Sequence, residues 1–173
     1  MKAYVKLYNL IFPIWFLLLF PISWVIILPA NYLVDSIVIL ITLSILKQDN
    51  KKVIYRRTIF KVWFFGFLSD FIGFGLLFVV LPIDSALDFN TKIGRWWYEK
   101  ITTGVSYNPF DNIWSFLWVL SAVLVAMLFI YWFNMKFSFK NLEVELRVKR
   151  KMAITLALCT APYLFMLPTK WFY

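Results

Sequence analysis

Long apolar stretches, separated by short polar segments, dominate the chain. About 20 apolar residues in a helix, rising about 1.5 Å per residue, cross the roughly 30 Å hydrocarbon core of a membrane. Five stretches approach or reach that length, at about residues 8–29, 30–46, 62–82, 113–135 and 152–168. The pattern predicts an all-α integral membrane protein, a bundle of five transmembrane helices forming one domain over residues 1–173.

The polar segments predict how these helices are joined. Only "PAN" separates the first two stretches, so Pro29 is expected to end one helix and Asn31 to begin the next, in a tight antiparallel hairpin. A long loop at residues 83–112 lies on the opposite side of the membrane from two shorter loops at residues 47–61 and 136–151.

The distribution of Lys and Arg predicts the orientation. With the N-terminus in the cytoplasm, the inner side collects 14 of the 18 basic residues, including Lys2 and Lys6, and the outer side holds Lys92, Arg95, Lys100 and Lys170. Basic residues accumulate in cytoplasmic loops of membrane proteins. The expectation is a cytoplasmic N-terminus and an extracytoplasmic C-terminus, which an odd number of spans requires.

The outer loop, residues 83–112, contains an amphipathic pattern. Phe89, Ile93, Trp97 and Ile101 recur every four residues, while charged residues fall on the other side. This predicts a helix lying in the membrane interface, anchored at headgroup level by Trp96, Trp97 and Tyr98. A lid over an outward-facing cavity is the alternative.

Composition excludes several classes of function. The chain is 62% hydrophobic and 16% charged, far from an ordinary soluble domain, and it has no histidine and one cysteine. Zinc sites built on His or Cys clusters and His-based catalytic triads are therefore excluded. We find no phosphate-binding loop or dinucleotide fingerprint, and we assign no catalytic residue, metal or cofactor. The net charge of +9 follows from topology, so the expected partners are the lipid bilayer and other membrane subunits, and not nucleic acid.

Two carboxylates interrupt the apolar stretches, Asp35 in "NYLVDSIVILIT" and Asp70 in "FFGFLSDFIGFG". A charged side chain at the bilayer centre costs about 2.5–3.5 kcal/mol on the insertion scale, so each should face the protein interior. No predicted span contains Lys or Arg to pair with them. Counted from Pro29 and Pro82, they lie about 9 Å apart in depth, which argues against a dyad sharing one proton.

Polar and small residues accompany the two carboxylates. Asn31 and Thr42 share a helical stripe with Asp35, and Ser69 precedes Asp70. Gly66 and Gly73 flank Asp70 and permit a neighbouring helix to approach closely. We expect a polar seam between the second and third predicted helices.

The last predicted span carries a face of small residues. Ala153, Ala157 and Ala161 follow one another at four-residue spacing, a pattern that packs closely against another helix. That helix belongs either to this bundle or to a partner protein. Thr155, Thr160 and Pro162 lie near that face and are expected to offer hydroxyls or a freed carbonyl to the polar seam.

Four interpretations of the carboxylates remain open. In the first, the protein is a membrane subunit of a transporter or channel-like assembly, binding a cation, a proton or a small polar solute at the seam. It could instead be a non-catalytic accessory subunit, an intramembrane aspartyl enzyme, or a protein whose protonated carboxyls are purely structural. The richness in Lys, Ile, Phe, Asn and Tyr suggests a bacterial plasma-membrane protein.

Overall fold

The computed structural model describes residues 13–172, and this part of the chain is helical, without strands. The helices are α1 (Pro21–Ile45), α2 (Lys51–Phe78), α3 (Val80–Ala86), α4 (Lys92–Trp97), α5 (Thr103–Tyr107), α6 (Ile113–Phe133) and α7 (Leu146–Cys159). Short 3₁₀ turns at Ile14–Leu19, Pro109–Asp111, Tyr163–Met166 and Thr169–Phe172, and π-helical segments at Tyr98–Thr102 and Asn134–Ser138, complete the described chain.

Within the described part of the chain, three stretches of helix are long and apolar enough to cross a membrane. They are Pro21–Ile45, Lys51–Ala86 and Ile113–Ser138. The predicted span 113–135 matches the third closely. In the second, the break at Val79 between α2 and α3 follows from Pro82, which has no N–H to donate to the carbonyl of Phe78.

The predicted hairpin at "PAN" is wrong, because α1 runs unbroken through Pro29. A proline inside a helix removes one hydrogen bond, and membrane helices tolerate this where neighbouring groups satisfy the local backbone. Pro29 leaves the carbonyl of Val25 without its helical donor, and beside the proline the indole of Trp63 on α2 donates to the carbonyl of Leu28, at 2.9 Å, which holds α1 against α2. Pro21, by contrast, begins α1, at a position where its missing N–H costs nothing.

The spans predicted at 8–29 and 30–46 are thus largely one helix, although residues 8–12, with Lys2 and Lys6, lie outside the described residues. The described chain begins at the end of the bundle that holds the 83–112 loop. There the amide of Ile14 donates to Thr169 Oγ1 at 3.3 Å, and the indole of Trp15 donates to the carbonyl of Val105 at 3.0 Å.

The span predicted at 152–168 is not one helix. α7 begins at Leu146 and ends at Cys159, after 14 residues. Pro162 cannot donate the next helical hydrogen bond, and the chain continues through the turn Tyr163–Met166. α7 begins at the end of the bundle with the basic loops, and the final turn, Thr169–Phe172, contacts α5 at the other end. Residues 146–172 therefore cross the bundle as a half-helix followed by non-α-helical chain.

A helix does form in the 83–112 loop, but its buried face differs from the predicted one. Ile101 is buried, whereas Ile93 is 70% exposed. The π-helical segment Tyr98–Thr102 separates them, and its wider turn shifts the register, so residues spaced by four no longer share a face. Trp96 is exposed, while Trp97 and Tyr98 are partly buried, with the Trp97 ring edge-on to Trp118.

Two apolar clusters form the core of the described bundle. One lies towards the 83–112 loop and includes Phe74 and Ala161, and the other lies towards the basic loops and includes Val62 and Ala157. α2 packs against both α1 and α6. Along α2, Gly66 and Asp70 lie between the two clusters, so the polar site interrupts an otherwise apolar core.

Candidate functional site

A small cavity lies where α1, α2 and the end of α7 meet. Its volume is about 30 Å³, more than the roughly 10–15 Å³ that a cavity needs to hold one water molecule. α1 contributes one side, α2 the opposite side, and the residue after α7 closes it. The lining residues are Asn31, Val34, Asp35, Gly66, Phe67, Asp70 and Thr160.

Asp35 and Asp70 both line this cavity, although the sequence predicted that they differ in depth by about 9 Å. That prediction measured each residue from a helix end placed at Pro29 or Pro82. Because α1 continues past Pro29 and helical chain continues to Ala86, neither proline marks the outer end of its helix. Both side chains are buried, at 4% and 8% exposure.

The two oxygens of Asp70 have different surroundings. Oδ2 accepts a hydrogen bond from the side-chain amide of Asn31, at 3.4 Å. Oδ1 is buried and has no hydrogen-bond partner among the described residues. A buried polar atom without a partner is costly, and such atoms are few in folded proteins. An acceptor oxygen beside a cavity therefore leaves room for a proton, a water or a cation.

No cation of the described chain neutralises these carboxylates. The ion pair found within residues 13–172 joins Lys170 to Asp111, at 3.8 Å, on the exposed surface near α5. Buried charges are normally paired or bind a metal ion. The cavity is thus an electronegative site in an apolar surrounding.

The end of α7 adds to this negative potential. Thr160, which follows the last residue of α7, lines the cavity, and its amide and hydroxyl both donate to the carbonyl of Leu156, at 2.8 and 2.9 Å. Pro162 has no N–H to donate to the carbonyl of Leu158, and the hydroxyl of Tyr163 donates to that carbonyl instead, at 2.6 Å. The C-terminal end of a helix carries about half a negative charge, so a helix broken here favours a cation in the cavity.

Gly66 sets the shape of the cavity. An added Cβ at Gly66 would lie 3.5 Å from Asp35 Oδ2, at ordinary van der Waals distance. The missing side chain therefore contributes the space in front of that carboxylate. Because the glycine faces α1, it also keeps the α1–α2 contact close.

The other residues predicted for the seam lie elsewhere. The hydroxyls of Ser69 and Thr42 donate within their own helices, to the carbonyls of Phe65 and Val38, each at 2.7 Å. Neither residue lines the cavity, and Thr42 lies instead at a groove between α1 and α7. Thr160, which the sequence only suggested as a source of a hydroxyl, does line it.

The residues proposed for helix packing are buried within the chain. Ala153, Ala157 and Ala161 are at most 7% exposed, in contact with the bundle's own core. Gly73 faces α6, where an added Cβ would lie 2.8 Å from the carbonyl oxygen of Ala122. The alanine face is therefore occupied internally and is not exposed to a partner.

A polar contact between α1 and α2 escaped the sequence analysis. The hydroxyls of Ser36 and Tyr55 lie 3.0 Å apart, and Tyr32 Oη lies 3.4 Å from Tyr55 Oη. Ser36 follows Asp35, so its position on the polar side of α1 could be read from the sequence. The contact made by Tyr55 could not be predicted from the sequence, because this residue lies in a segment dominated by positive charge.

These features define the class of the protein. Residues 13–172 form an all-helical bundle with three helices long and apolar enough to span a membrane, and two carboxylates line one cavity inside it. No protein-family model, curated protein or solved structure matches this chain.

Proposed function

We propose that this chain is a membrane subunit of a transporter or channel-like assembly, and that its carboxylate cavity binds a proton or a small monovalent cation. The observation that carries the proposal is the buried, unpartnered Oδ1 of Asp70 beside a cavity that Asp35 also lines. Ionisable residues inside a membrane protein commonly mark ion pathways or proton relays. The negative end of α7 supports a positively charged occupant.

The size of the cavity narrows the choice of ligand. A volume of about 30 Å³ accommodates a proton carried by a carboxyl or water, or one dehydrated monovalent ion. A polar solute of several heavy atoms does not fit. Of the three ligand classes considered from the sequence, the geometry therefore supports the proton and the cation.

The same size supports a role as one subunit of an assembly. A cavity holding a single ion or water is a binding site and not a permeation path. For an ion to move past this site, either the end of α7 must move or another protein must complete the path. Half-helices that end at a mid-membrane site are a recurring feature of transporters, where their termini contact the ion.

The orientation follows from the basic residues, which gather at one end of the described bundle. Twelve basic residues lie in or beside the loops before α2 and α7, and only Lys92, Arg95, Lys100 and Lys170 lie at the other end. By the positive-inside rule, the basic end faces the cytoplasm of a plasma membrane, which we propose to be bacterial. The C-terminal turn then lies on the outer side.

One observation favours a second candidate function, that of an intramembrane aspartyl enzyme. Asp35 and Asp70 line one cavity, large enough for a water molecule. A water between two carboxyls is the arrangement such chemistry needs. However, about 30 Å³ excludes a peptide or ester group unless the bundle opens. Cation binding requires no such opening, so it remains the preferred proposal.

Ligand-dependent stability tests cation binding without knowledge of any partner. The purified protein is heated in mild detergent with Li⁺, Na⁺, K⁺ or choline chloride at constant ionic strength, and over a range of pH with choline alone. A ligand that binds only the folded state stabilises it by about 2.7 kcal/mol at 100 times its Kd. The proposal expects Tm to rise with one small cation or with proton concentration.

The controls use two glycines of α2. Gly66→Ala adds a methyl group that points at Asp35 Oδ2, whereas Gly75→Ala adds one with no atom within 4 Å. The ligand-dependent rise in Tm should disappear in Asp70→Asn, shrink in Gly66→Ala, and persist in full in Gly75→Ala. A wild-type Tm that is the same in every cation and at every pH would contradict the proposal.

A further inference from the structure

A second site lies between α1 and α7, at the basic end of the bundle and away from the carboxylate cavity. Two adjoining cavities meet there, one of about 590 Å³ and one of about 360 Å³. Ile45, Leu46 and Lys151 line both, so the two form one continuous space. Each volume falls in the range of small-molecule binding sites.

The two parts of this space differ in character. The smaller part is an apolar groove that follows α1 from Val38 through Ile41 to Ile45, with Ile154 of α7 opposite. From residue 38 to residue 45 the helix rises about 10 Å, enough for several methylenes of an acyl chain. The groove is open on its outer side, where Ile41 is 54% and Ile154 48% exposed.

The larger part is polar and carries a positive excess. Three cationic side chains line it, Lys47, Arg147 and Lys151, together with two carboxylates, Glu143 and Glu145. This leaves one net positive charge among the lining residues. Lys47 has φ = 51°, a left-handed conformation usually taken by glycine after a helix, so a charged residue occupies a position where glycine fits best.

We propose that this space binds one anionic phospholipid. Its phosphate contacts Lys47, Arg147 and Lys151, hydroxyls of its headgroup donate to Glu143 or Glu145, and one acyl chain lies in the groove between α1 and α7. A headgroup with a single negative charge matches the net charge of the polar part. Basic pockets between membrane helices bind anionic headgroups in this way. The proposal does not depend on the occupant of the carboxylate cavity.

Native mass spectrometry of the full chain tests the proposal. Phosphatidylglycerol and phosphatidylethanolamine are titrated separately into delipidated protein, and the fraction of protein carrying one lipid is measured. We expect one phosphatidylglycerol to bind at least fivefold more tightly than phosphatidylethanolamine. Equal binding of the two lipids, or binding of neither, would overturn the assignment. So would equally tight binding of glycerol 3-phosphate, because it carries the phosphate without an acyl chain.

Two matched pairs of variants locate the lipid. Lys151→Gln removes a cation shared by both parts, whereas Arg150→Gln removes a neighbouring exposed charge that lines neither. We expect Lys151→Gln to weaken phosphatidylglycerol binding about fivefold, equivalent to about 1 kcal/mol, and Arg150→Gln to leave it unchanged within about twofold. Equal weakening in the two variants indicates attraction by the whole basic surface and overturns the site.

The second pair tests the groove. Ile41→Trp fills it, while Leu40→Trp places the same bulk on an exposed position one residue away that does not line it. We expect loss of the lipid adduct only in Ile41→Trp, with both variants eluting as the wild type does in size-exclusion chromatography. Retention of the adduct in both overturns the acyl-chain assignment. If Ile41→Trp does not fold, the smaller change Ile41→Phe is measured against Leu40→Phe with the same criteria.

Discussion

Two glycines on α2, seven residues apart, have opposite surroundings: one borders empty space and the other a tight helix contact. At Gly66 a missing side chain leaves space, and an added Cβ would lie 3.5 Å from its nearest neighbour, Asp35 Oδ2. At Gly73 the space is already taken, since an added Cβ would lie 2.8 Å from the carbonyl oxygen of Ala122 and 3.0 Å from Ala126 Cβ. The first glycine shapes a polar cavity against α1, and the second permits close packing against α6.

The difference shows how one helix of the bundle provides close packing at one glycine and borders a polar cavity at another. Without a strong hydrophobic driving force between helices in lipid, close packing supplies much of the stability, and small residues permit it. The Gly73 contact serves that purpose in an apolar surrounding. The Gly66 region instead keeps two carboxylates and a helix end together, which is costly unless a ligand compensates.

Gly73→Ala should have the largest effect on stability. Because the nearest contact is a backbone atom, α2 and α6 must move apart, and overpacking of this kind costs about 1–3 kcal/mol. The measurement is Tm in detergent, compared with Gly75→Ala. Adding Ala126→Gly removes one of the two close contacts and should restore only part of the loss. A Tm equal to that of Gly75→Ala would show that this interface is loosely packed.

Asp70→Asn should abolish the ligand-dependent part of stability. The amide replaces an acceptor oxygen by a donor at the unpartnered position, so a cation loses its ligand and a proton its carrier. The loss equals the whole stabilisation by ligand, about 2.7 kcal/mol at 100 times the Kd. Melting curves with and without the ligand cation should coincide for this variant. Should they still differ as in the wild type, the ligand binds elsewhere.

Gly66→Ala should separate binding from folding. The new methyl group makes ordinary contacts, so the fold is retained, and alanine's higher helix propensity adds at most about 1 kcal/mol. The same methyl group reduces a cavity of only about 30 Å³. We expect unchanged or higher Tm without ligand and a weaker response to ligand. A full response to the ligand would place the bound ion away from Asp35.

Gly75→Ala should have the smallest effect. No atom lies within 4 Å of its added Cβ, so neither packing nor the cavity changes. Only the helix-propensity gain of about 1 kcal/mol or less remains. Without ligand, the free energy of unfolding obtained from the melting curves should match that of Gly66→Ala to within about 0.5 kcal/mol. A larger gap between the two would mean that the Gly66 methyl group strains the α1–α2 contact.

Part of the carboxylate site was predictable from the sequence. Asp35 and Asp70 were found because a charge inside an apolar stretch is conspicuous, and Asn31 and Gly66 because of their helical spacing from these residues. Thr42, chosen by the same spacing, and Ser69, chosen as the neighbour of Asp70, donate instead to carbonyls of their own helices. Spacing identifies residues on a similar side of one helix, but not which of them faces a given neighbour.

The depth of the carboxylates was not predictable, since it depended on where the helices end. A proline in a soluble helix usually ends or kinks it, and that rule placed a hairpin at Pro29. In the structure α1 continues through Pro29, and the indole of Trp63 on α2 donates to the carbonyl of Leu28 next to it. This contact joins residues 35 positions apart, which local sequence cannot reveal.

The sequence by itself determined that the chain folds in a membrane, that its fold is helical, and which chemical groups its polar cavity offers. Apolar composition and length require membrane helices, because unpaired backbone polar groups are too costly in hydrocarbon. The chain has no histidine, and two carboxylates lie within its apolar stretches. These residue types limited the chemistry of the site to oxygen ligands and protons. Each of these conclusions rests on residue types or local spacing alone.

Only the tertiary structure decided which residues meet. It brought Asp35 and Asp70 to one cavity, ended α7 at that cavity, and buried the alanine face of α7 inside the bundle. These outcomes depend on contacts between segments far apart in the chain, at Gly66, Trp63 and Thr160. A helix in lipid can slide or rotate against its neighbour at little hydrophobic cost, so shape and hydrogen bonding between helices select the register.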